Sequence, residues 1–408
     1  MAFGWSKTRY SPIAVDFGTD SIKLLQVILG EPPQLIAAAA MEVPPEARTD
    51  VAARQEFLQS ALSSMVRSQP FKGKRAILSL PSSQTLIQHF QIAGSETEDM
   101  AMQIDMNLRQ RMNVDPSRMV VRNFPVTTLV REGSSKQETI CVAASRDAIM
   151  NHIELAHRAK LDVVGMHCEP LAILKSFGHM FRNSQQGSII CFLDMGASST
   201  KVVISHGPQM VFAKTIHIGG DHLTTHLARA QGVSFAEARA MRMNITGAQS
   251  SEDQGMAMAG AAVAAPATPP VPTGAAGGLA MIEARMAAER RAQGQAEAAP
   301  TVYKKPVADP AHETIECLID ELQLCLRHHQ SVFPEQRVEK LVFLGGESRH
   351  VDICQKIARS LHIGAQLGDP LARAVRLTQS KTPSGVDLRQ SQPGWAVPMG
   401  LCLSEANL

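Results

Sequence analysis

The sequence predicts an α/β protein whose two halves are duplicates facing a cleft. Three observations predict it. Strand-like and helix-like stretches alternate over most of the 408 residues, the pattern of layered α/β domains. Two segments, one starting at Ile13 and one at Cys191, read alike. A late strand, VEKLVFL, runs into Gly345-Gly346-Glu347 and then into a helical pattern.

Composition narrows the functions such a chain can carry. The formal net charge is +2 and aromatic residues make up 4%, so neither a basic field nor a base-stacking platform points to nucleic acid. No apolar run reaches the roughly 18 residues that a membrane span needs. The start, MAFGWSKTRYS, lacks the apolar stretch of a signal peptide. Seven cysteines are scattered without a CxxC, as expected of reduced, buried thiols in a cytosolic protein.

In chain order, PIAVDF (12–17) and IKLLQVIL (22–29) are apolar runs of strand length around a glycine turn. A helix is expected at 51–68. Strands follow at 74–80 and 84–92, a helix at 95–112, strands at 119–129 and 139–144, and a helix at 146–159. Strand 161–167 leads to helix 169–182. Strands at 188–194, 200–205 and 210–216 precede helices at 221–231 and 234–243. Segment 312–332 sets Ile315, Leu318, Ile319, Leu322, Cys325 and Leu326 at helical spacing, and Pro334 ends it. Strand 338–344 and helix 349–361 complete the series. Residues 247–310 break the pattern: 18 alanines fall among the 54 positions of 247–300, with the run PATPPVPTGAAGG. Such a stretch buries too little apolar area to offset its ordering entropy, so a disordered or loosely helical insertion is expected.

The duplicated segments carry the chemistry. IAVDFGTDSIKLLQV and CFLDMGASSTKVVIS align without gaps and share Asp16/Asp194, Gly18/Gly196, Ser21/Ser199 and Lys23/Lys201. Each reads as a strand, a D-x-G turn with small hydroxyl residues, and a second strand. Gly18 and Gly196 allow a sharp turn close to a ligand. Turn N–H groups and the hydroxyls of Thr19, Ser21, Ser198 and Ser199 can donate to phosphate oxygens. Asp16 and Asp194 end their strands at one mouth, where they can hold a hydrated Mg²⁺. Lys23 and Lys201 face either phosphate or solvent, because alternation alone does not assign the face. At Gly345-Gly346 the backbone can approach an adenine or ribose, and the following helix start favours anions. No Walker A, GxGxxG or GxSxG pattern occurs, so P-loop, Rossmann and hydrolase chemistry lose their main support.

The order of hairpin, strand and helix, hairpin, Ile-Gly-Gly and strand–Gly-Gly–helix resembles the actin-like ATPase superfamily, a duplicated RNase H-like fold. Within it the chain resembles the PilM family of type IV pilus assembly, on the FtsA/PilM branch. VDFGTDSIKLLQV and LDMGASSTKVVI are similar to that family's two phosphate hairpins. KTIHIGGDHLT, with Gly219 and Gly220, is similar to the turn after the second. LVFLGGESRHVDICQKIARSLHI is similar to the adenosine motif, and WAVPMGLCL to the final helix.

The resemblance implies ATP and Mg²⁺ as cofactors. Their site would comprise Asp16, Gly18, Thr19, Ser21 and Lys23 from the first hairpin and Asp194, Gly196, Ala197, Ser198 and Ser199 from the second. Gly219, Gly220, Gly345, Gly346 and Glu347 would complete it, with Asp16 and Asp194 holding the metal through water. Glu169 stands where relatives place a water-orienting Glu or Gln, with a plain helix N-terminal Glu as the alternative. The implied first half is 11–70 with 166–186, interrupted by an SHS2-like subdomain at 71–165. The second half is 187–246 with 311–408.

One departure stands out. Relatives carry a Glu and a Lys on the helix after the Ile-Gly-Gly turn, both reaching the ribose and base. FAEARAMR sets Arg239 and Arg242 at those places. Affinity and base selectivity are left open, and at most a slow ATPase is expected. The implied role is a cytoplasmic adaptor of pilus assembly, held at the inner membrane by its partner. That partner is the N-terminal cytoplasmic tail of a PilN-like inner-membrane protein, bound between the first half and the inserted subdomain. Pilus motor or platform proteins are further candidates. The alternatives are an FtsA-like division adaptor, although the ending SQPGWAVPMGLCLSEANL has no basic amphipathic face, and a soluble kinase or phosphatase. Among histidines, His217, His222 and His226 beside Asp221 offer weak zinc spacing without HExxH. His328-His329 reads as a solvated pair.

Overall fold

A computed structural model describes residues 10–93, 97–112, 115–131, 134–181, 188–252, 310–376 and 386–407. The expected insertion at 247–310 lies outside them, apart from the ends of two flanking helices. The chain opens with β1 (Ile13–Phe17), β2 (Ser21–Ile28) and β3 (Gln34–Glu42), followed by helices α1 (Glu46–Thr49) and α2 (Val51–Ser68). Strand β4 (Arg75–Leu80) returns parallel to β1. Then come β5 (Thr85–Ala93), α3 (Thr97–Met112), β6 (Met119–Arg131) and β7 (Ser134–Ser145), and α4 (Arg146–Arg158), β8 (Asp162–Cys168) and α5 (Glu169–Ser176). The later part runs β9 (Ile189–Met195), β10 (Thr200–His206), β11 (Gln209–Ile216), α6 (Gly220–Gln231) and α7 (Phe235–Glu252). It ends with α8 (Pro310–Val332), β12 (Lys340–Leu344), α9 (Val351–Leu361), β13 (Ala365–Leu367), β14 (Val375–Arg376) and α10 (Ala396–Cys402).

The duplication seen in two short segments extends to whole sheets. The first sheet has the order β14-β3-β2-β1-β4-β8 and the second β11-β10-β9-β12-β13. Leaving out β14, each has two antiparallel pairings followed by two parallel ones. The inner strands β1 and β9 are buried at every residue, as expected where both faces of a sheet are covered. Helices start where local chemistry satisfies their free N–H groups. Asp50 accepts from the Ala53 N–H at the head of α2, and Ser145 accepts from Ala148 at the head of α4. The amphipathic spacing of 312–332 appears as α8, with Leu318, Ile319, Leu322 and Cys325 buried.

Sheet pairing moves three expected boundaries. The subdomain expected at 71–165 is smaller. Strand β4 pairs with β1, β8 pairs with β4, and Leu155 and Ala156 of α4 pack in the core of the first sheet with Leu58 and Leu62 of α2. What is inserted between β4 and β8 as a separate sheet is β5-β7-β6, with α3 on it. The span 311–408 does not all belong with the second sheet. Strand β14 pairs with β3, and Cys402 at the end of α10 donates its S–H toward the Leu25 carbonyl of β2. The helix expected at 169–182 stops at Ser176 and gives way to a 3-10 turn at Gly178–Phe181. Strand β3 went unread because Ala37–Ala40 lack the β-branched side chains of strands. Pairing with β2 decides its conformation. Six of the seven cysteines are buried and all seven are free. No helix among the described residues is long and apolar enough to cross a membrane.

Candidate functional site

The two D-x-G hairpins have the same register. Asp16 pairs with Lys23 across β1 and β2, and Asp194 pairs with Lys201 across β9 and β10. Directly opposed residues share a face of the ladder, so each aspartate and its lysine point the same way. The tips touch: Thr19 Oγ1 lies 2.8 Å from Ser198 Oγ. All the expected site residues except Gly219 and Gly220 border one cavity of about 110 Å³ between the hairpins. Gly219 and Gly220 sit behind it. The Gly220 and Asp221 N–H groups donate to the carbonyls of Gly196 (3.0 Å) and Ala197 (2.7 Å), bracing the second hairpin from outside.

Lys201 sits at the centre of the cavity's charge. Its Nζ lies 3.2 Å from Asp194 Oδ2 and 3.5 Å from Glu169 Oε2. Burial disfavours its charge, but Asp194, Glu169 and Asp16 outweigh that and hold its pKa well above the ordinary lysine value. Burial pushes the Asp16 carboxyl up, against Lys23, Lys201 and the Ser79 hydroxyl, which donates to it at 3.0 Å. Glu169 opens α5 as expected and is only 3% exposed. Burial raises its pKa, while Lys201 pulls the other way. It accepts from the Ser82 N–H at 3.2 Å. Lys23, by contrast, reaches out of the pair to the Gly394 carbonyl at 2.9 Å. The duplicated lysines have therefore diverged: Lys201 lies among three carboxylates, whereas Lys23 acts on Asp16 alone and ties the first hairpin to the loop before α10. The repeat alignment was the signal that could have singled out Lys201.

The mouth of the cavity is crossed by ion pairs that no motif announces. Arg239 of α7 contacts Asp20 at 2.7 Å and Glu42 at 2.9 Å. Arg48 of α1 pairs with the same Asp20 and lies 3.5 Å from Asp221 of α6. Arg54 donates to the Gly18 carbonyl at 2.8 Å, holding the first tip. Arg242 grips Glu347 with its two terminal guanidinium nitrogens, at 2.8 and 3.1 Å. The two arginines that depart from the family pattern thus do different work. Arg239 links α7 to the first hairpin, and Arg242 engages the acidic residue of the Gly-Gly turn.

Gly345 has φ +85°, and a Cβ there would fall 2.2 Å from the Met195 carbonyl oxygen. Only glycine lets β12 turn this tightly against the second hairpin. At Gly346, beside the cavity, an added Cβ would meet nothing within 4 Å. The residues suit a phosphate chain and a hydrated divalent ion: hydroxyls and turn N–H groups at two tips, with two buried aspartates below. The space is less than the roughly 300–1,000 Å³ typical of small-molecule sites, so a nucleotide would fit only once the tips part.

His222, His226 and Asp221 of the weak histidine group are otherwise engaged. His222 Nδ1 accepts from the Gly219 N–H at 3.2 Å, His226 Nδ1 is 2.8 Å from Thr314 Oγ1, and Asp221 faces Arg48. The solvated pair expected at His328-His329 is corrected. His329 is 2% exposed and lies 2.8 Å from the His206 Nε2. Burial, with His206 and His328 nearby, lowers its pKa to about 4.

Two duplicated sheets that meet at paired D-x-G hairpins define an actin-like ATPase fold. The family model of the type IV pilus assembly protein PilM matches residues 14–253, and the chain belongs to that family. A second model, the cell division protein FtsA, matches residues 191–374. Among solved structures, a PilM-PilN type IV pilus biogenesis complex superposes with a TM-score of 0.68 at 18% identity, covering 97% of this chain and 98% of that one. MreB5 of Spiroplasma citri bound to ADP gives a TM-score of 0.43 at 13% identity, with 96% and 95% covered. That second likeness is too distant to bear on function. No curated protein sequence matches significantly.

Proposed function

We propose that this protein is a cytoplasmic, ATP-binding adaptor of type IV pilus assembly that holds the N-terminal tail of a PilN-like inner-membrane protein. The observation that carries the proposal is a groove of about 670 Å³ between the inserted sheet and the first sheet. Strand β6 is an edge strand of one sheet and β8 of the other. Val120, Phe124 and Leu171 give the groove an apolar lining, with Arg122 and Arg146 also bordering it. Along β8 the ladder is already taken: the Asn407 N–H donates to the Val164 carbonyl and the Met166 N–H to Asn407 Oδ1, both at 3.0 Å. Strand β6 is the edge left for an extended segment to pair with. The neighbour described as a PilM-PilN complex supports the choice of partner.

The test is to titrate the full chain with a labelled peptide of a PilN-like cytoplasmic tail. Val120→Lys and Arg122→Glu are each expected to weaken binding about tenfold or more, the range of interface anchors. Unchanged affinity in both would sink the groove assignment. Capture of a tubulin-like division protein in place of a pilus protein would move the function toward that of FtsA.

Mg·ATP would occupy the hairpin cavity, and Asp16 and Asp194 would hold the metal through water. Its phosphates would part Thr19 from Ser198, which is how nucleotide state could reorient the sheets and reach the groove. With Glu169 bound to Ser82 and Lys201, turnover is slow at most. Asp20→Asn weakens the acceptor shared by Arg48 and Arg239. It is expected to raise the affinity for a fluorescent ATP analogue by about 3- to 10-fold, since each surface-type pair is worth about 1 kcal/mol or less. Equal or lower affinity would mean that these pairs do not hold the mouth closed.

A further inference from the structure

A second polar cluster lies far from the hairpins, where the inserted sheet meets α8. His89 of β5, Glu138 of β7 and His328 of α8 bring one ligand atom each within 4.8 Å of one another. Glu138 is 1% exposed. Neither of its carboxylate oxygens has a hydrogen-bond partner, and His89 Nδ1 and His328 Nε2 are also unpartnered. Four buried polar atoms thus face one another unsatisfied, an arrangement that costs free energy unless something positive lies among them.

The His89 ring is oriented from its other side. Its Nε2 sits 3.2 Å from the Ala213 carbonyl and 3.4 Å from the Ala213 N–H. A metal-binding histidine is likewise oriented from the far side of its ring. The spacing fits as well. Glu138 Oε1 is 3.4 Å from His89 Nδ1 and 3.5 Å from His328 Nε2. Two ligands each about 2.0–2.1 Å from a tetrahedral Zn²⁺ are about 3.4 Å apart. The His328 side chain is 38% exposed, although its Nε2 is buried.

We propose that His89, Glu138 and His328 form a zinc-class transition-metal site that clamps the inserted sheet to α8. Two imidazoles and one carboxylate favour Zn²⁺ or Co²⁺ over Mg²⁺, so the site is chemically separate from the hairpin cavity. The other close histidine pair, His206 and His329, contact each other and offer no such opening.

The test uses the full chain without a histidine tag, stripped with chelator and titrated with Co²⁺. One equivalent is expected to give the intense visible absorption of a tetrahedral site, abolished by Zn²⁺ and unaffected by excess Mg²⁺. His89→Ala and His328→Ala should each weaken binding by more than the roughly 10- to 100-fold typical of losing an outer-shell partner. Glu138→Gln, which keeps the shape, should do the same, with far-ultraviolet circular dichroism confirming that each variant is folded. Absence of a tetrahedral spectrum at stoichiometric Co²⁺ would overturn the site and leave a proton shared between imidazole and carboxylate. Equal binding by the His89→Ala/His328→Ala double variant would overturn it too, by placing the ion elsewhere.

Discussion

Replacing Lys201 with alanine is expected to destabilise the protein by roughly 3–5 kcal/mol, the cost of removing one partner from a buried charge cluster. The lysine is the cation nearest two carboxylates, at 3.2 Å from Asp194 and 3.5 Å from Glu169, and it also acts on Asp16. Without it Asp194 and Glu169 would lose their nearest cation, and Asp16 would keep only Lys23 and the Ser79 hydroxyl. The pH dependence gives the prediction its edge. Asp16 and Glu169 already have raised pKa values through burial. A carboxyl raised in the folded state adds stability at low pH and loses it as pH rises through the folded value. In Lys201→Ala those values rise further, so the deficit should be largest at pH 8 and shrink as pH falls toward 5.5. Urea unfolding at both pH values measures it. A deficit below about 1 kcal/mol, or one that does not change with pH, would mean that solvent reaches the cluster and screens it.

Gly400→Ala is expected to lose about 3 kcal/mol or more, the upper end of overpacking, because the obstacle is main chain. A Cβ at Gly400 would lie 1.7 Å from the Ala172 carbonyl oxygen and 2.4 Å from its carbon. Helices α10 and α5 therefore pack backbone against backbone at this point. The sign is informative. In an exposed helix interior the same change would gain up to about 1 kcal/mol of propensity. Ala172→Gly should not rescue the variant, since the colliding atoms are not side chain. Function should follow stability, because Gly394 and Ala396, just before and at the start of α10, border the hairpin cavity, and Lys23 bonds to the Gly394 carbonyl. The variant is expected to unfold at lower temperature and to be cut first near its C-terminus by protease. A melting temperature equal to or above the parent's would show that α10 can shift without cost.

The amino-acid sequence by itself determined the α/β class, most strands and helices, the duplication and most of the residues that border the hairpin cavity. Those features are local. An apolar strand, D-x-G, hydroxyls and a second strand fit within fifteen residues, and a strand's or helix's period is visible in its own segment. Sheet membership was decided only by the tertiary structure. Nothing near Arg75 or Val163 says that β4 and β8 join β1 rather than the inserted β5 and β7, because parallel pairing links distant segments. Strand β3 needed β2 beside it to override the weak preference of four alanines. The same distinction runs through the sites. Asp16 and Asp194 could be read from their motifs. The opposite fates of Lys23 and Lys201 depend on Gly394 and Glu169, far away in the chain. The Arg48–Asp20–Arg239 crossing and the meeting of His89, Glu138 and His328 each join three separate segments. A charge or an imidazole carries no period and no local partner. Its role is set by what folding brings within a few ångströms of it, where low dielectric makes each pairing count.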